Sequence, residues 1–358
     1  MDSWLSTFRF QIISWILAYN IFGISLYFIL LNFQADLEQT MPLRFWPGIM
    51  TNIISGLIMG IVLGGVDILL KRISRRKRSF ISHFLHKSLW YMGIFLGFVL
   101  LTAFFMQWVY KGLDIATAFQ EMREGYVWNI MLAYVIFTAS TSVLISFLGH
   151  LRQLVGPNKL SRLFWGRYFS PRSEERIFMF LDLKDSTAIA EKLGHVKYSQ
   201  FIQDCFFDLN QVVPRFQAEI YQYVGDEAVL HWPLAIGTKN QDCLYLFRAF
   251  QQKLESKQDT YIYTYGLQPT FKAGLHAGSI TVAEVGEFKK EIAYHGDVLN
   301  TAARLEKACA LQDVHVLVSD TLTHILQAEF QGEFISVGQL ELKGKAESIE
   351  AFTVVFPT

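Results

Sequence analysis

Two carboxylates stand where carboxylates are costly. Asp182 closes the apolar run Phe178-Met179-Phe180-Leu181, and Asp226 follows Gly225 between the apolar runs Ile220 to Val224 and Ala228 to Leu230. If those runs are neighbouring strands, both carboxylates point to one place, and two close carboxylates repel unless a cation lies between them. Mg²⁺ held by one or two carboxylates plus substrate phosphates is the usual solution. Gly-Asp is also ordinary hairpin chemistry, so Asp226 alone decides nothing. The nearby acids Asp185 and Glu227 read as solvated. Asn300 and Arg304, four apart on a predicted helix, share a face, either as a catalytic couple or as a surface hydrogen bond. Lys343 and Lys345 flank Gly344 at a strand end, and Lys272 precedes Gly274 and His276 in another strand; each offers a cation to phosphate or to water.

The elements that must position these residues alternate between strands and helices. Ile177 to Leu181 reads as a short strand, and Ser186-Thr187 starts a helix whose apolar positions continue through Leu193, Phe201, Ile202, Phe206 and Leu209. Ile220 to Leu230 reads as a hairpin with Gly225-Asp226 at its tip. A helix near 239–256 follows, then strands Phe271 to His276 and Ser279 to Val285 joined by Ala277-Gly278. A strand at Glu291 to Tyr294, a helix from Asp297 to Ala310, a strand around Val316, a helix from Thr321 to Gln327 and closing strands near 334–343 and 350–356 complete the series. The pattern predicts an α+β sandwich with a largely antiparallel sheet, helices packed on it and a ferredoxin-like core.

The first 150 residues obey another solvent. The chain has 358 residues, 52% hydrophobic and only 18% charged, against roughly 25% charged in soluble domains. Uncharged runs lie between Arg9 and Asp36, Arg44 and Asp67, Lys87 and Lys111, and Glu124 and Arg152, each above the roughly 20 residues that span a bilayer. The first is too long for a cleavable signal peptide and lacks a small-residue cleavage site. The cationic run Lys71 to Arg78 is cytoplasmic by the positive-inside rule, which puts the loops near 34–48 and 111–126 outside and both termini in the cytoplasm. Gly56, Gly60 and Gly64, then Gly93 and Gly97, form small-residue stripes that serve packing within one bundle or self-association. Asp67 with Lys71 reads as a snorkelled interfacial pair or a proton relay. The resulting division is a four-span region 1–150, a connector helix or linker 151–174 marked by Gly156-Pro157 and Ser170-Pro171, and a soluble domain 175–358. Zero net charge argues against nucleic acid as a partner, and three cysteines without a Cys-x-x-Cys pair argue against a disulfide or zinc scaffold.

Taken in order, Phe180 to Thr187, Tyr223 to Glu227, Gly296 to Leu305 and Leu342 to Lys345 resemble the class III adenylate/guanylate cyclases over essentially the whole soluble domain. The four-span anchor resembles that of the family's membrane-tethered bacterial members. The resemblance implies a multi-pass protein of the bacterial inner membrane, with its catalytic domain in the cytoplasm, that converts ATP to 3′,5′-cyclic AMP and pyrophosphate. GTP is the alternative substrate. It further implies that Asp182, Asp226 and the Leu183 carbonyl hold two Mg²⁺ or Mn²⁺ ions per site. Backbone N–H groups from Leu183 to Thr187, Ser186 and Thr187 among them, would receive phosphate oxygens. Asn300 and Arg304 would stabilise the transition state, and Lys343 and Lys272 would meet the triphosphate. Family sites form between protomers, so one chain carrying both halves implies a homodimer with two sites.

Departures from the family pattern concern base choice. Gln222 stands where ATP users usually carry a base-reading Lys, and Ala293 where Asp or Thr is usual. Gln can face either purine and Ala neither. Asp185 replaces a common Gly in the phosphate loop. The rival readings are a cyclase fold that no longer catalyses, which lost aspartates or a lost Arg would favour, and a diguanylate cyclase. Val224 to Ala228 faintly echoes the latter's signature, but that reading leaves Asn300, Arg304 and Lys343 unexplained.

Overall fold

In a computed structural model of the chain, residues 2–31, 45–73, 80–105, 117, 126–155, 166–341 and 348–357 are described. They divide into two compact units, residues 1–160 and 161–358.

Among the described residues, the first unit has four long helices: α1 (Asp2–Leu31), α2 (Phe45–Ile73), α3 (Phe80–Phe105) and α4 (Tyr126–Val155). Among the described residues, Thr7–Ile29, Phe45–Leu70 and Val135–Arg152 are long and apolar enough to cross a membrane. The sequence reading counts a further span on α3, a helix of 26 residues. Ile13, Leu17, Ile21, Ile54, Ile61 and Leu144 lie exposed, as suits helices that meet lipid instead of water. The glycine stripe of α2 packs inside this unit. A Cβ on Gly56 would lie 2.7 Å from the Ile16 Cα, and one on Gly60 2.5 Å from the Ile12 Cα, so α1 and α2 touch backbone to backbone. Most of the loops predicted on either side of the membrane, most of the basic run and residues 156–165 of the connector lie outside the described residues.

Asp67 is held in a hydrogen-bonded network. It is buried, and its carboxylate accepts from Gln11 Nε2 at 2.7 Å, Tyr91 OH at 2.6 Å and Lys87 Nζ at 3.0 Å. Trp15 Nε1 closes the network by donating to Gln11 Oε1 at 3.1 Å. An ion-pair partner, Lys87, comes from α3, 20 residues away, and the Lys71 side chain lies outside the described residues. Removing one charge of a buried pair is costly because the other stays behind without compensation. Lys87→Met should therefore destabilise the helical unit by about 3–5 kcal/mol, read as a lower thermal midpoint in detergent. The Asp67→Asn/Lys87→Met double variant should lose clearly less; equal losses would show that the pair is not what holds Asp67 in place.

The second unit is built on an eight-stranded sheet. Its strands are β1 (Arg172–Leu183), β2 (Glu219–Val224), β3 (Glu227–Pro233), β4 (Phe271–Val285), β5 (Glu291–His295), β6 (Val316–Ser319), β7 (Glu333–Leu340) and β8 (Ile349–Val355). The order is β2-β3-β1-β4-β6-β8-β7, with β5 paired to β4. The β4–β6 pairing is parallel and the others are antiparallel, as the sequence pattern predicts. The helices are α5 (Ser186–Leu193), α6 (His195–Val212), α7 (Asp242–Glu255), α8 (Gln258–Tyr265), α9 (Asp297–Leu311) and α10 (Asp320–Leu326).

β1 is apolar without alternation because both of its faces are covered. Ile177, Met179, Leu181 and Leu183 join the core beneath α6 and α7, while Phe178 and Phe180 join the one containing Val298 and Ala302 of α9. Alternation therefore places Asp182 on the α9 side. Two expected elements differ. The helix begun at Ser186 breaks at Gly194, whose φ of 72° is the left-handed conformation that favours glycine. The strands predicted on either side of Ala277-Gly278 are one continuous β4, with Ala277 opposite Ile177 and Gly278 opposite Arg176. Gly278 makes room for Val298 Cγ2, 3.0 Å from a notional Cβ, and is not a turn residue. All three cysteines are free and buried.

Candidate active site

The β1–β3 register sets Leu181 opposite Ala228, and so brings Asp182 to the level of the hairpin tip that carries Asp226. Gly225 takes the tip with φ 62°. The two carboxylates are close enough to repel. The Asp182 carboxyl is pushed up to about 6, first by burial, then by Glu306 and Asp226; Lys272 and the Leu183 N–H act in the opposite direction. Glu227 does not behave as a solvated acid. It is half-buried and pushed up to about 7 by burial and by Asp182 and Glu306. Asp185 is exposed, as expected, and its φ of 58° is a glycine-like conformation.

The helix α9 sits directly on β4. A Cβ on Gly274 would lie 2.2 Å from the Glu306 backbone nitrogen and 2.3 Å from the Ala302 carbonyl oxygen, so only glycine admits the helix at this distance. That contact aims Glu306 at Lys272, whose Nζ is 3.0 Å from Glu306 Oε1 and 3.8 Å from Asp182 Oδ2. Asn300 is exposed one turn before Arg304, and Arg304 Nη1 is buried without a hydrogen-bond partner. Among the described residues, no hydrogen bond or ion pair joins Asn300 or Arg304 to the Asp182 group. A buried guanidinium nitrogen without an acceptor is a binding capacity not used within the chain.

In the loop after β1, the Lys184 N–H donates to the Thr270 carbonyl at 2.9 Å, so this one amide of the Leu183 to Thr187 stretch is engaged. Ser186 and Thr187 open α5, where first-turn amides have no intrahelical acceptor. Gln222 is exposed on β2, just past a register shift between Ile220 and Gln222. Ala293 lies on β5 opposite Ala283. Their sequence neighbours Tyr221 and Tyr294 meet edge to face at 5.0 Å, which draws β2 and β5 together. Lys343 lies outside the described residues.

Two participants escaped the sequence reading. Tyr198 in α6 lies close to Asp226 and Ser186, and its hydroxyl is pushed up to about 12 by burial and by Asp226. No local signal marks it, because the link spans three elements. Glu306 did carry a signal: it is an acid beside Leu305 within the apolar stripe of Val298, Ala302, Leu305 and Cys309, and all five positions are buried.

The donor set suits a hard divalent cation. Oxygen ligands converge at Asp182 and Asp226, with the Leu183 carbonyl at the same strand end, and their mutual repulsion is what a dication relieves. Among the described residues no group of three or more His, Cys, Asp or Glu forms a self-contained cage. The remaining ligands would therefore be substrate phosphates and water, as is usual for Mg²⁺.

Comparison with known proteins points the same way. The family model described as the adenylate and guanylate cyclase catalytic domain matches residues 170–355, just over half the chain. A protein of Rhizobium meliloti (strain 1021) named Adenylate cyclase 2 is 32% identical over 242 residues, covering 68% of this chain. The chain spans 66% of that relative's length. Among solved structures, the adenylyl cyclase CyaB from P. aeruginosa is 15% identical with TM-score 0.47, covering 53% of this chain and 97% of that one. A bacterial light-regulated adenylyl cyclase is 19% identical with TM-score 0.47, covering 59% and 64%.

Proposed function

This chain belongs to the class III adenylate and guanylate cyclase family, and from that membership we propose that it converts ATP to 3′,5′-cyclic AMP and pyrophosphate at two equivalent sites of a membrane-anchored homodimer. The observation that carries the catalytic reading is the half-buried carboxylate pair Asp182 and Asp226, crowded at one end of the sheet. Mg²⁺ or Mn²⁺ held by Asp182, Asp226 and the Leu183 carbonyl would neutralise the triphosphate and ease ionisation of the 3′-hydroxyl. Amides at Ser186 and Thr187, together with Lys343, receive phosphate oxygens. Arg304 holds a fixed positive charge where negative charge develops on the α-phosphate, and Asn300 donates beside it. The substrate supplies its own nucleophile, so the protein needs none.

Two observations support a site shared between protomers. Among the described residues, Asn300 and Arg304 make no bond to the Asp182 group, and Arg304 Nη1 lacks an acceptor. The apolar helices of the first unit support anchorage in a bilayer, and the basic run after α2 supports a cytoplasmic catalytic domain in a bacterial inner membrane. The direct test is purified full-length protein with Mn²⁺ and ATP or GTP, with the cyclic product identified by mass. Absence of either cyclic nucleotide from folded protein would overturn the proposal.

Base choice rests on the family membership and the relative's name, since Gln222 fits either purine and Ala293 contributes no hydrogen bond. One flexible amide discriminates by about 1–3 kcal/mol, or roughly tenfold to a few hundredfold. Cyclic GMP should thus be measurable when GTP is supplied alone. Gln222→Lys should sharpen the preference for ATP. An unchanged ATP/GTP ratio with activity preserved would move base selection away from this position.

A further inference from the structure

Asp182 already has a cation at hand. Lys272 is its partner across the β1–β4 ladder, and the Lys272 Nζ lies between Asp182 Oδ2 at 3.8 Å and Glu306 Oε1 at 3.0 Å. The side chains of Lys272 and Glu306 are only 12% and 2% exposed, so water does little to screen the contact. Glu306 Oε1 has no partner in hydrogen-bond geometry. The ammonium is within ion-pair distance of both acids and closer to Glu306.

The two sides of this contact differ in freedom. Glu306 belongs to the turn of α9 that rests on Gly274, where its backbone has no room to move inward. Lys272 has a flexible four-carbon stem and a compact charge, and small torsional changes carry its Nζ from one carboxylate to the other. The other charged groups acting on this place are Asp226, on Asp182, and Glu227 with Lys307.

We propose that Lys272 is a built-in counter-ion of the metal site, which neutralises Asp182 in the absence of a divalent cation and withdraws onto Glu306 when one binds. The Lys272–Glu306 pair is then a positioning device that sets metal affinity. Triphosphate recognition falls to Lys343 and the amides of α5. The inference rests on the reading of Asp182 as a metal ligand. Its physical basis is that an ammonium and a dication compete for the same oxygen, and their repulsion is strong at short range in a partly desolvated site.

Opposite outcomes for the two partners distinguish this role from a structural ion pair. The experiment titrates Mn²⁺, without nucleotide, into full-length protein in detergent and follows the paramagnetic resonance signal of the free ion. Lys272→Met removes the competitor and should tighten Mn²⁺ binding about tenfold. Glu306→Gln removes the resting place, commits Lys272 to Asp182, and should weaken binding about tenfold. Should Lys272→Met fail to fold, the Lys272→Gln/Glu306→Gln double variant keeps a neutral hydrogen-bonded pair and should bind Mn²⁺ more tightly than Glu306→Gln alone. Shifts in the same direction for both single variants, no shift in either, or a double variant no tighter than Glu306→Gln overturn the counter-ion role. Mn²⁺ binding that Asp182→Asn leaves untouched overturns the metal reading itself, and the counter-ion role with it.

Discussion

Asp182→Asn and Asp226→Asn should each lower cyclic-nucleotide production by on the order of a hundredfold or more, with the fold retained. Each substitution deletes one negative charge, at nearly constant volume, from a site that must hold dications against a polyanionic substrate. The fold should survive because the native pair is repulsive: burial and mutual charge push Asp182 up to about 6. A carboxyl raised in the folded state favours folding less as pH rises from its unfolded value, near 4, through 6. Asn at 182 removes that penalty, so the variant should melt no lower than the parent at neutral pH without metal. The same shift predicts that Mn²⁺ affinity of the parent falls as pH drops from about 7 to 6, since protons on Asp182 and Glu227 must leave first. Near-normal turnover by either variant with Mg²⁺ or Mn²⁺ would remove these carboxylates from the chemistry.

The parts of this architecture legible in the sequence are those fixed by local chemistry. The hairpin at Gly225-Asp226 is legible because an apolar run on either side of a turn dipeptide has few other folds. The helix α9 is legible from the spacing of Val298, Ala302, Leu305 and Cys309. The misread places depend on contacts between distant segments. Ala277-Gly278 has the composition of a turn, yet β4 runs straight through it because the glycine accommodates α9 and not a reversal. Asp67 takes an ion pair from Lys87 of another helix, which spacing along its own helix does not announce. Glu227 has the composition of a surface acid, and only its proximity to Asp182 and Glu306 makes it otherwise. The Tyr198 link from Asp226 to Ser186 has no periodicity to announce it. Sequence spacing reports neighbours along an element, whereas site electrostatics are set by neighbours across elements.

Arg304→Ala should abolish turnover to a comparable degree, because the charge it removes opposes the negative charge that develops only in the transition state, where one such donor is worth roughly a hundredfold to a thousandfold. Among the described residues Arg304 Nη1 has no acceptor, so its removal strands no partner of that nitrogen and the fold should be retained. Under the proposed shared site, this variant and Asp182→Asn damage opposite halves. Mixed after dissociation and reassembly, the two inactive chains pair at random to give about half heterodimers. Each heterodimer then holds one site with both lesions and one with neither. About a quarter of the parental site density should return, from two preparations that are each inactive. The measurement is cyclic-nucleotide formation by the mixture and by heterodimers isolated through two different affinity tags, which should reach about half of the parental dimer's activity. Verified heterodimers that remain inactive would place the metal carboxylates and Arg304 of each site on a single chain.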